Sequence, residues 1–289
     1  MPLASEMTTR RTFLQGSSLA FSASLLRAAG RPLRIGVTDW NLHLDADPAA
    51  VGKAAKLGFQ GVQISLGRKL VDGKLPLDNA GRIAEYKALA QQYRITLDAT
   101  CLDRLHDNGL KSDPLAPRWV ADSIRITHEL GIRVILVPFF GRWALKSRQE
   151  MDYVGDALRD LAPEAEKAGV ILGLEDTISA EDNVSIMERS RSSAVLVYYD
   201  VGNSTLAGFD VVKEIRWLGK DRICQFHFKD NPHYLGEGTI QFPPIVQAIH
   251  DIGWSGWANL ETDAHPATLD ADMRRNLGFI EHILDQQYR

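Results

Sequence analysis

Short runs of apolar residues alternate with longer segments of helical spacing along this chain, from Leu33 to the C-terminus. The apolar runs are typical of buried strands, whereas the longer segments carry apolar residues three and four positions apart. Strands that alternate with helices in this way predict a parallel α/β fold. We predict eight strands, near residues 33–38, 60–65, 95–100, 132–138, 170–175, 195–200, 222–228 and 256–261. The clearest predicted helices span residues 80–93, 117–130, 149–168 and 269–287.

The junctions between helices and strands share a glycine. It occurs in Leu57-Gly58-Phe59, Leu130-Gly131-Ile132, Ala168-Gly169-Val170 and Ile252-Gly253-Trp254. Glycine there supplies the left-handed residue that commonly ends a helix. Eight serial βα units predict a (β/α)8 TIM barrel over residues 31–289. The competing architecture is a doubly wound open sheet, but no Gly-x-Gly-x-x-Gly follows an early strand, so a dinucleotide site is not predicted.

Residues 1–30 are predicted to lie outside this domain. Paired Arg10-Arg11 precede a moderately apolar stretch at 18–26 and a tail of small residues, an order that resembles a twin-arginine (Tat) signal peptide. We expect the Tat translocase to export the folded chain, with any metal already loaded, to the periplasm or the medium. The stretch is too short to span a bilayer and no Cys directly follows it, so no permanent membrane anchor is predicted. The alternative is an amphipathic helix with two chance arginines.

Composition narrows the class of ligand. The 289 residues carry a net charge of −4 and no long basic run, so nucleic acid is not a predicted partner. Cys101 and Cys224 fall in or beside strands that are not neighbours in the predicted barrel, so both are predicted to be buried free thiols. A small polar molecule is the expected ligand. The sequence leaves open whether the chain forms a homo-oligomer.

Four consecutive predicted strands, the fifth to the eighth, end in a polar side chain: Glu175, Asp200, His227 and Glu261. The carboxyl ends of barrel strands meet at one face, which is where such barrels carry their chemistry. Three carboxylates and an imidazole that converge there would repel one another without a cation, and this set suits a divalent ion. Each residue also has a structural alternative, since a carboxylate often caps the next helix and a histidine can lie in the core. Independent caps would rarely include a histidine.

The motifs around these residues resemble those of the sugar phosphate isomerase/epimerase superfamily of xylose isomerase-like barrels. They are Leu174-Glu175-Asp176, Asp200-Val201-Gly202-Asn203, His227-Phe228-Lys229-Asp230, Leu235-Gly236-Glu237-Gly238 and Leu260-Glu261. The resemblance covers nearly all of residues 33–285. It implies that Glu175, Asp200, His227 and Glu261 bind one divalent ion, Mn²⁺, Mg²⁺ or Co²⁺, with Zn²⁺ also compatible. It also implies that Glu175 and Glu261 are the catalytic acid/base pair.

The implied reaction is isomerisation or epimerisation of a ketose or keto-sugar through a metal-stabilised enediolate. A lyase or dehydratase could use the same site, with the enediolate expelling a β-substituent instead of being reprotonated. A third alternative is a carbohydrate-binding barrel without catalysis. Because sugar phosphates are scarce outside the cytoplasm, the predicted export favours a free or glycosidic keto-sugar as substrate.

Several further residues are candidates for substrate binding. Asn203 stands where several family members have histidine, a form that resembles the branch containing L-xylulose-5-phosphate 3-epimerase. Together with Gln63 on the second strand, it argues against the multi-zinc site of the related DNA repair nucleases. Lys229, Trp143 and Asp39 are the other candidates, with a rim salt bridge or a packed loop as their structural alternatives. Residues 235–238 are predicted to form a tight turn beside the metal.

Overall fold

Eight parallel strands form a closed barrel in this protein, whose computed structural model describes residues 31–288. Each strand pairs with the next in sequence, and β8 pairs with β1 through Leu33 and Gly256, which closes the sheet. The predicted (β/α)8 barrel is therefore confirmed, and the open sheet is excluded. The strands are β1 (Leu33–Thr38), β2 (Gly61–Ser65), β3 (Thr96–Cys101), β4 (Val134–Pro138), β5 (Ile171–Glu175), β6 (Val195–Asp200), β7 (Ile223–Phe228) and β8 (Gly256–Leu260).

The α-helices lie outside the barrel and connect its strands. They are α1 (Ala49–Leu57), α2 (Ala80–Tyr93), α3 (Ala116–Leu130), α4 (Arg148–Ala168), α5 (Ala180–Ser190), α6 (Val201–Leu206), α7 (Val211–Leu218), α8 (Phe242–Asp251) and α9 (Leu269–Gln287). Three short 3₁₀ turns follow β1, β3 and β4, at Trp40–Leu42, Asp103–His106 and Gly141–Trp143. These turns build part of the barrel mouth. The predicted export signal at 1–30 lies outside the described residues.

Local sequence signals set the helix ends. Ser147 begins α4 with a capping box, in which its hydroxyl accepts from the Glu150 backbone N–H at 3.3 Å and Glu150 Oε2 accepts from the Ser147 N–H at 3.1 Å. The four junction glycines all adopt positive φ, at 103°, 77°, 68° and 65° for Gly58, Gly131, Gly169 and Gly253. The glycine prediction is thus confirmed, and each left-handed residue turns the chain back toward the next strand.

The apolar core lies between the barrel and the helices. Phe226 on β7 packs edge-on against Trp254, with ring centroids 4.8 Å apart, and the Trp254 indole N–H donates to the Ile223 carbonyl at 2.9 Å. Both cysteines are free thiols, as predicted; Cys101 is buried and Cys224 is half-buried. Within residues 31–288, each helix is too short or too polar to cross a membrane.

The inside of the barrel is polar toward the carboxyl ends of the strands. Five buried polar side chains from four strands point into it and contact one another: Gln63, Asp98, Gln225, His227 and Asn259. A buried polar group is tolerated when it is hydrogen-bonded, so this layer replaces the apolar filling that many barrels have. This layer lies directly below the candidate site described next, and Gln63 contacts His227 of that site.

Candidate metal centre and substrate cavity

The four predicted ligands come together at the carboxyl end of the barrel. Glu175 is the last residue of β5, Asp200 is the last of β6, His227 is the second-last of β7, and Glu261 directly follows β8. Strand register places Asp200 beside His227, and the Glu261 N–H donates to the Phe228 carbonyl at 3.0 Å. One ligand atom from each residue lies within 4.8 Å of all the others. We call this set the four-residue cluster.

The imidazole of His227 is the centre of the cluster. Its Nδ1 lies 2.7 Å from Glu175 Oε1, 3.7 Å from Asp200 Oδ2 and 3.6 Å from Glu261 Oε2. The ring is fully buried, and Tyr198 packs against it at 4.6 Å between centroids. Three carboxylates therefore face one nitrogen of a buried ring.

The cluster fits a single divalent cation. Ligand bonds of about 2.1 Å place two ligands of one ion no more than about 4.2 Å apart, so the observed spacing needs only small side-chain movements. Three carboxylate oxygens and one imidazole nitrogen suit Mn²⁺, Mg²⁺, Co²⁺ or Zn²⁺. Glu175, Asp200, His227 and Glu261 could therefore hold one ion.

Lys229 supplies a positive charge next to the cluster. Its ammonium lies 2.7 Å from Asp200 Oδ2 and 2.5 Å from Glu261 Oε2. Burial works against the charged form, but Asp200 and Glu261 outweigh it and raise the pKa of Lys229 above its ordinary value. Lys229 also belongs to the lining of the cavity described below. Lys229 thus forms ion pairs with the cluster and also lies where a molecule in the cavity could contact it.

Burial and mutual repulsion shift the pKa values of the carboxyls. Burial, together with the charge of Glu261, raises the pKa of Glu175 to about 8. Burial likewise raises the pKa of Asp200 to about 7, against the opposing effect of Lys229. Burial alone would also raise the pKa of Glu261, but His227 and Lys229 hold it at about 2. Burial lowers the pKa of His227, against the opposing effect of Glu261 and Asp200.

Asp200 has two roles in the structure. Its Oδ2 belongs to the cluster, while its Oδ1 accepts from the Asn203 backbone N–H at 2.8 Å and caps α6. The capping alternative considered from the sequence is therefore also correct for this residue. The cap holds the start of α6 beside the cluster, and Asn203 of this helix lines the cavity described below.

A cavity of about 700 Å³ opens above the cluster. Glu175, Glu261, Lys229 and Asn203 form its polar base. Its wall is mixed and includes Trp40, Phe140, His106, Arg68, Lys69, Asp45 and Asp103. This combination of aromatic faces with a few convergent polar groups suits a small carbohydrate.

Three aromatic or imidazole side chains, those of Trp40, His106 and Phe140, belong to the lining of this cavity. The Trp40 indole N–H donates to Glu261 Oε1 at 3.1 Å, which orients the carboxylate. His106 and Phe140 stack with their ring centroids 6.3 Å apart. Sequence reasoning missed His106 and Arg68 because they follow β3 and β2 on loops, where residue type alone shows no periodicity.

Two substrate-binding candidates lie outside the cavity lining. The Asp39 carboxylate is fully buried and accepts from the Ser65 N–H at 2.8 Å, the Ser65 hydroxyl at 2.8 Å and the Ala46 N–H at 3.0 Å. The Trp143 indole packs over Gly109 and donates to the His106 carbonyl at 3.2 Å, so Phe140 of the same segment faces the cavity instead. Substrate contact by Asp39 or Trp143 stays a prediction.

Residues 235–238 do form a turn, in which Gly236 has a φ of 79° and the Glu237 N–H donates to the Tyr234 carbonyl at 3.0 Å. The turn is tied to Asp230, just beyond Lys229. Its Oδ2 accepts from the N–H groups of Gly236 and Gly238 at 3.1 and 2.9 Å. The glycines thus serve backbone geometry, as the sequence suggested.

Known proteins match this chain over most of its length. A family model described as xylose isomerase-like TIM barrel matches residues 51–283. The 2-epi-5-epi-valiolone 7-phosphate 2-epimerase of Actinoplanes sp. is 30% identical, over 72% of this chain and 76% of that protein. The D-psicose 3-epimerase of Enterocloster bolteae is 22% identical, over 88% and 96%. The structure of D-psicose 3-epimerase with D-tagatose from Clostridium cellulolyticum H10 has a TM-score of 0.74 at 20% identity, over 87% and 99%.

Proposed function

Because this chain belongs to the xylose isomerase-like TIM barrel family, we propose that it is a metal-dependent epimerase or isomerase of a keto-sugar. The observation that carries the proposal is the four-residue cluster at the base of a cavity of sugar size. The relatives named as epimerases support this reaction class over elimination. A DNA repair function is not proposed, because the multi-zinc site it needs has no histidine at Gln63 or Asn203.

The two glutamates are suited to opposite proton-transfer roles. They belong to β5 and β8, so they reach the base of the cavity from different sides of the barrel. Without an ion in the cluster, burial and the charge of Glu261 raise the pKa of Glu175, whereas His227 and Lys229 lower the pKa of Glu261 against the effect of burial. Carboxyls whose pKa values are pushed apart are typical of an acid and base pair. We assign proton removal from the substrate carbon to one glutamate and proton return to the other.

A divalent ion in the cluster would polarise the carbonyl and the adjacent hydroxyl of a bound sugar and so acidify the C–H between them. The remaining steps belong to side chains of the chain. Lys229 places its ammonium beside Glu261, where it can also stabilise negative charge that develops on a sugar oxygen. Trp40 keeps the Glu261 carboxylate oriented toward the cavity. Proton removal on one face and return on the other inverts the carbon.

The preferred substrate is a free or glycosidic keto-sugar. This preference rests on the predicted export of the chain, and the cavity wall is consistent with it. Arg68, the one arginine that residues 31–288 contribute to the lining, pairs in bidentate fashion with Asp107, at 3.1 and 2.7 Å, which reduces its capacity to bind a phosphate group. The phosphorylated substrate named for the Actinoplanes relative belongs in the same screen as a comparison.

The test is a screen of the purified protein with Mn²⁺ in D₂O against keto-sugars, ketoglycosides and their phosphates, followed by product NMR. Solvent deuterium at one carbon of a recovered isomeric sugar is the expected result. An unsaturated product with a released alcohol or water would instead identify a lyase. Glu175→Gln and Glu261→Gln should each lower kcat by about 10²-fold or more while sugar binding persists. Sugar binding without any turnover in the unsubstituted protein would contradict catalysis.

A further inference from the structure

Below the metal centre lies a layer of buried polar side chains that the proposed reaction does not use. Gln63, Asp98, Tyr198, Gln225 and Asn259 come from five different strands, and none is more than 6% exposed. An unpaired polar group costs free energy in such a place, so the direction of each hydrogen bond is constrained by its neighbours. Following the donors and acceptors from one end of the layer leads to His227.

The first acceptor in this series of hydrogen bonds is Asp98. Its Oδ1 accepts from Asn259 Nδ2 at 2.8 Å and from Gln225 Nε2 at 2.9 Å. Burial raises the pKa of this carboxyl to about 7. A proton on Oδ2 leaves Oδ1 an acceptor, so both protonation states have the same effect on the two amides. Asn259 must therefore turn its NH₂ group toward Asp98.

The orientation of the Asn259 amide in turn determines the orientation of the Gln63 amide. The same Nδ2 lies 3.1 Å from Gln63 Oε1, and the Tyr198 hydroxyl donates to that oxygen at 2.9 Å. An amide nitrogen only donates, so Gln63 has to present its carbonyl oxygen. Among the described side chains, Gln63 Nε2 finds no acceptor, which shows that the oxygen side of the amide determines its orientation.

Gln63 Oε1 also lies 2.7 Å from Nε2 of His227. Because a carbonyl oxygen can only accept, Nε2 must carry the hydrogen. A neutral imidazole with its hydrogen on Nε2 has its lone pair on Nδ1, and Nδ1 is the atom that faces the three carboxylates. We propose that Asp98, Asn259 and Gln63 form a directional hydrogen-bond chain that fixes the tautomer and orientation of His227 for metal binding. Gln63 is its positioning residue.

Two glycines, Gly36 and Gly61, make room for the side chains of this hydrogen-bond chain. A Cβ on Gly36 would lie 2.0 Å from Asn259 Oδ1 and 2.5 Å from Asp98 Oδ2, and one on Gly61 would lie 2.3 Å from Asp98 Oδ2. Neither glycine has a positive φ, so close approach of the backbone is the reason for glycine at both positions. The glycines of β1 and β2 therefore leave room for the side chains of Asn259 and Asp98.

The test compares the same substitution at two glutamines of one layer. Gln63→Met removes the acceptor for His227 and keeps a similar side-chain volume. Gln225→Met makes the same change at a residue that contacts Asp98 but is not bonded to His227, and it is the matched control. Gln63→Glu retains an acceptor oxygen and tests rescue. Thermal unfolding of each variant shows whether the fold persists.

Two readouts separate positioning from packing. The first is the His227 tautomer in the protein without added metal, from ¹H–¹⁵N correlations of labelled histidine, with His227→Gln identifying the signal. We expect the Nε2–H form in the unsubstituted protein, in Gln225→Met and in Gln63→Glu. In Gln63→Met the hydrogen should move to Nδ1, where Glu175 Oε1 accepts it. The second readout is Mn²⁺ affinity by calorimetry, which should fall about 10- to 100-fold in Gln63→Met and less than about threefold in Gln225→Met.

Equal losses of Mn²⁺ affinity in the two methionine variants would overturn the proposal, as would an unchanged His227 tautomer in Gln63→Met. The inference rests on the proposed metal centre, yet the two can fail separately. If the unsubstituted protein binds no Mn²⁺, the proposed function fails, and the tautomer measurement still decides whether the hydrogen-bond chain acts on His227. If Gln63→Met does not fold, the Nδ1–H form in Gln63→Glu would contradict the chain and the Nε2–H form would support it.

Discussion

Single residues in the barrel interior connect stability to pH, and Asp98 is the clearest example. Burial raises its folded-state pKa from 3.8 to about 7. Between these values the folded state binds a proton that the unfolded state has released, so the free energy of unfolding falls as pH rises from about 4 to about 7 and is level above that. Each pKa unit corresponds to about 1.4 kcal/mol, so the total fall is on the order of 4 kcal/mol.

Asp98→Asn should remove this component. An asparagine keeps Oδ1 as the acceptor for Asn259 and Gln225. Its new NH₂ group can donate to Asn259 Oδ1, which has no hydrogen-bond partner among the described groups. Asn259 Oδ1 and Asp98 Oδ2 both lie against Gly36, so the two positions are close together. We expect the variant to gain stability relative to the unsubstituted protein as pH rises from 4 to 7. Urea unfolding at several pH values measures this difference. Parallel pH profiles of the two proteins would show that Asp98 does not titrate in this range.

Asp103 and Asp176 also have pKa values raised to about 7 by burial, so they contribute to the stability profile of the whole protein in the same direction. The difference between Asp98→Asn and the unsubstituted protein cancels their contribution. For this reason the comparison of two proteins is more informative here than one profile.

At the scale of elements, the connection between β7 and α8 depends on one carboxylate. Asp230 is buried, and its two oxygens accept from the backbone N–H groups of Gly236, Gly238, Thr239 and Ile240 at 2.9 to 3.3 Å. The residue before it is Lys229, which contacts two carboxylates of the cluster. The same loop geometry therefore supports both the local fold and the position of the ammonium.

Asp230→Ala leaves these N–H groups without their acceptor, so we expect a loss of about 2–4 kcal/mol in the free energy of unfolding. Asp210→Ala is the matched control, because this exposed aspartate caps α7 through a single bond to the Lys213 N–H at 3.1 Å and should cost about 1 kcal/mol. Chemical denaturation measures both. Similar losses in the two variants would mean that the Asp230 bonds contribute no more than an ordinary helix cap.

At the scale of the whole molecule, an ion in the four-residue cluster would connect β5, β6, β7 and the end of β8. A ligand that binds only the folded state at 100 times its Kd adds about 2.7 kcal/mol of stability. For a chain of this size, that corresponds to a rise in Tm of roughly 5–10 °C. We expect Mn²⁺, Mg²⁺, Co²⁺ or Zn²⁺ to raise Tm and EDTA to reverse the effect.

Asp200→Asn provides a sharp control for this measurement. Asparagine still caps α6 through its side-chain oxygen, so the helix start is preserved, but one ligand charge is lost. The rise in Tm with metal should be much smaller in this variant than in the unsubstituted protein. Equal rises would place the responsible ion somewhere other than in the cluster.

The export of the chain is a separate prediction at this scale. It depends on Arg10 and Arg11, which precede the described residues. We expect the full-length chain to be found in the periplasm or medium of a host with a Tat system, and Arg10→Lys with Arg11→Lys to retain it in the cytoplasm. Cell fractionation with immunoblotting measures the distribution. Export unaffected by the double substitution, or by loss of the translocase, would contradict a Tat route.

Amino-acid sequence alone was sufficient for the barrel and for its four candidate ligands. Both depend on local order: apolar periodicity marks each strand, and in parallel βα units the carboxyl ends of all strands meet at one face. A polar residue that ends a strand, such as Glu175 or Asp200, is therefore placed without knowledge of its neighbours. The glycines after the helices follow from backbone conformation in the same way.

Only the tertiary structure decided which side chains complete the site. Gln63 and Asn259 are 196 residues apart in sequence, yet their amide groups meet inside the barrel and determine the direction of the bonds to His227. Phe140 rather than Trp143 faces the cavity, because the loop after β4 packs the Trp143 indole against Gly109. Such contacts depend on barrel closure and on loop conformation, which bring distant residues within bonding distance and leave no periodic pattern in the sequence.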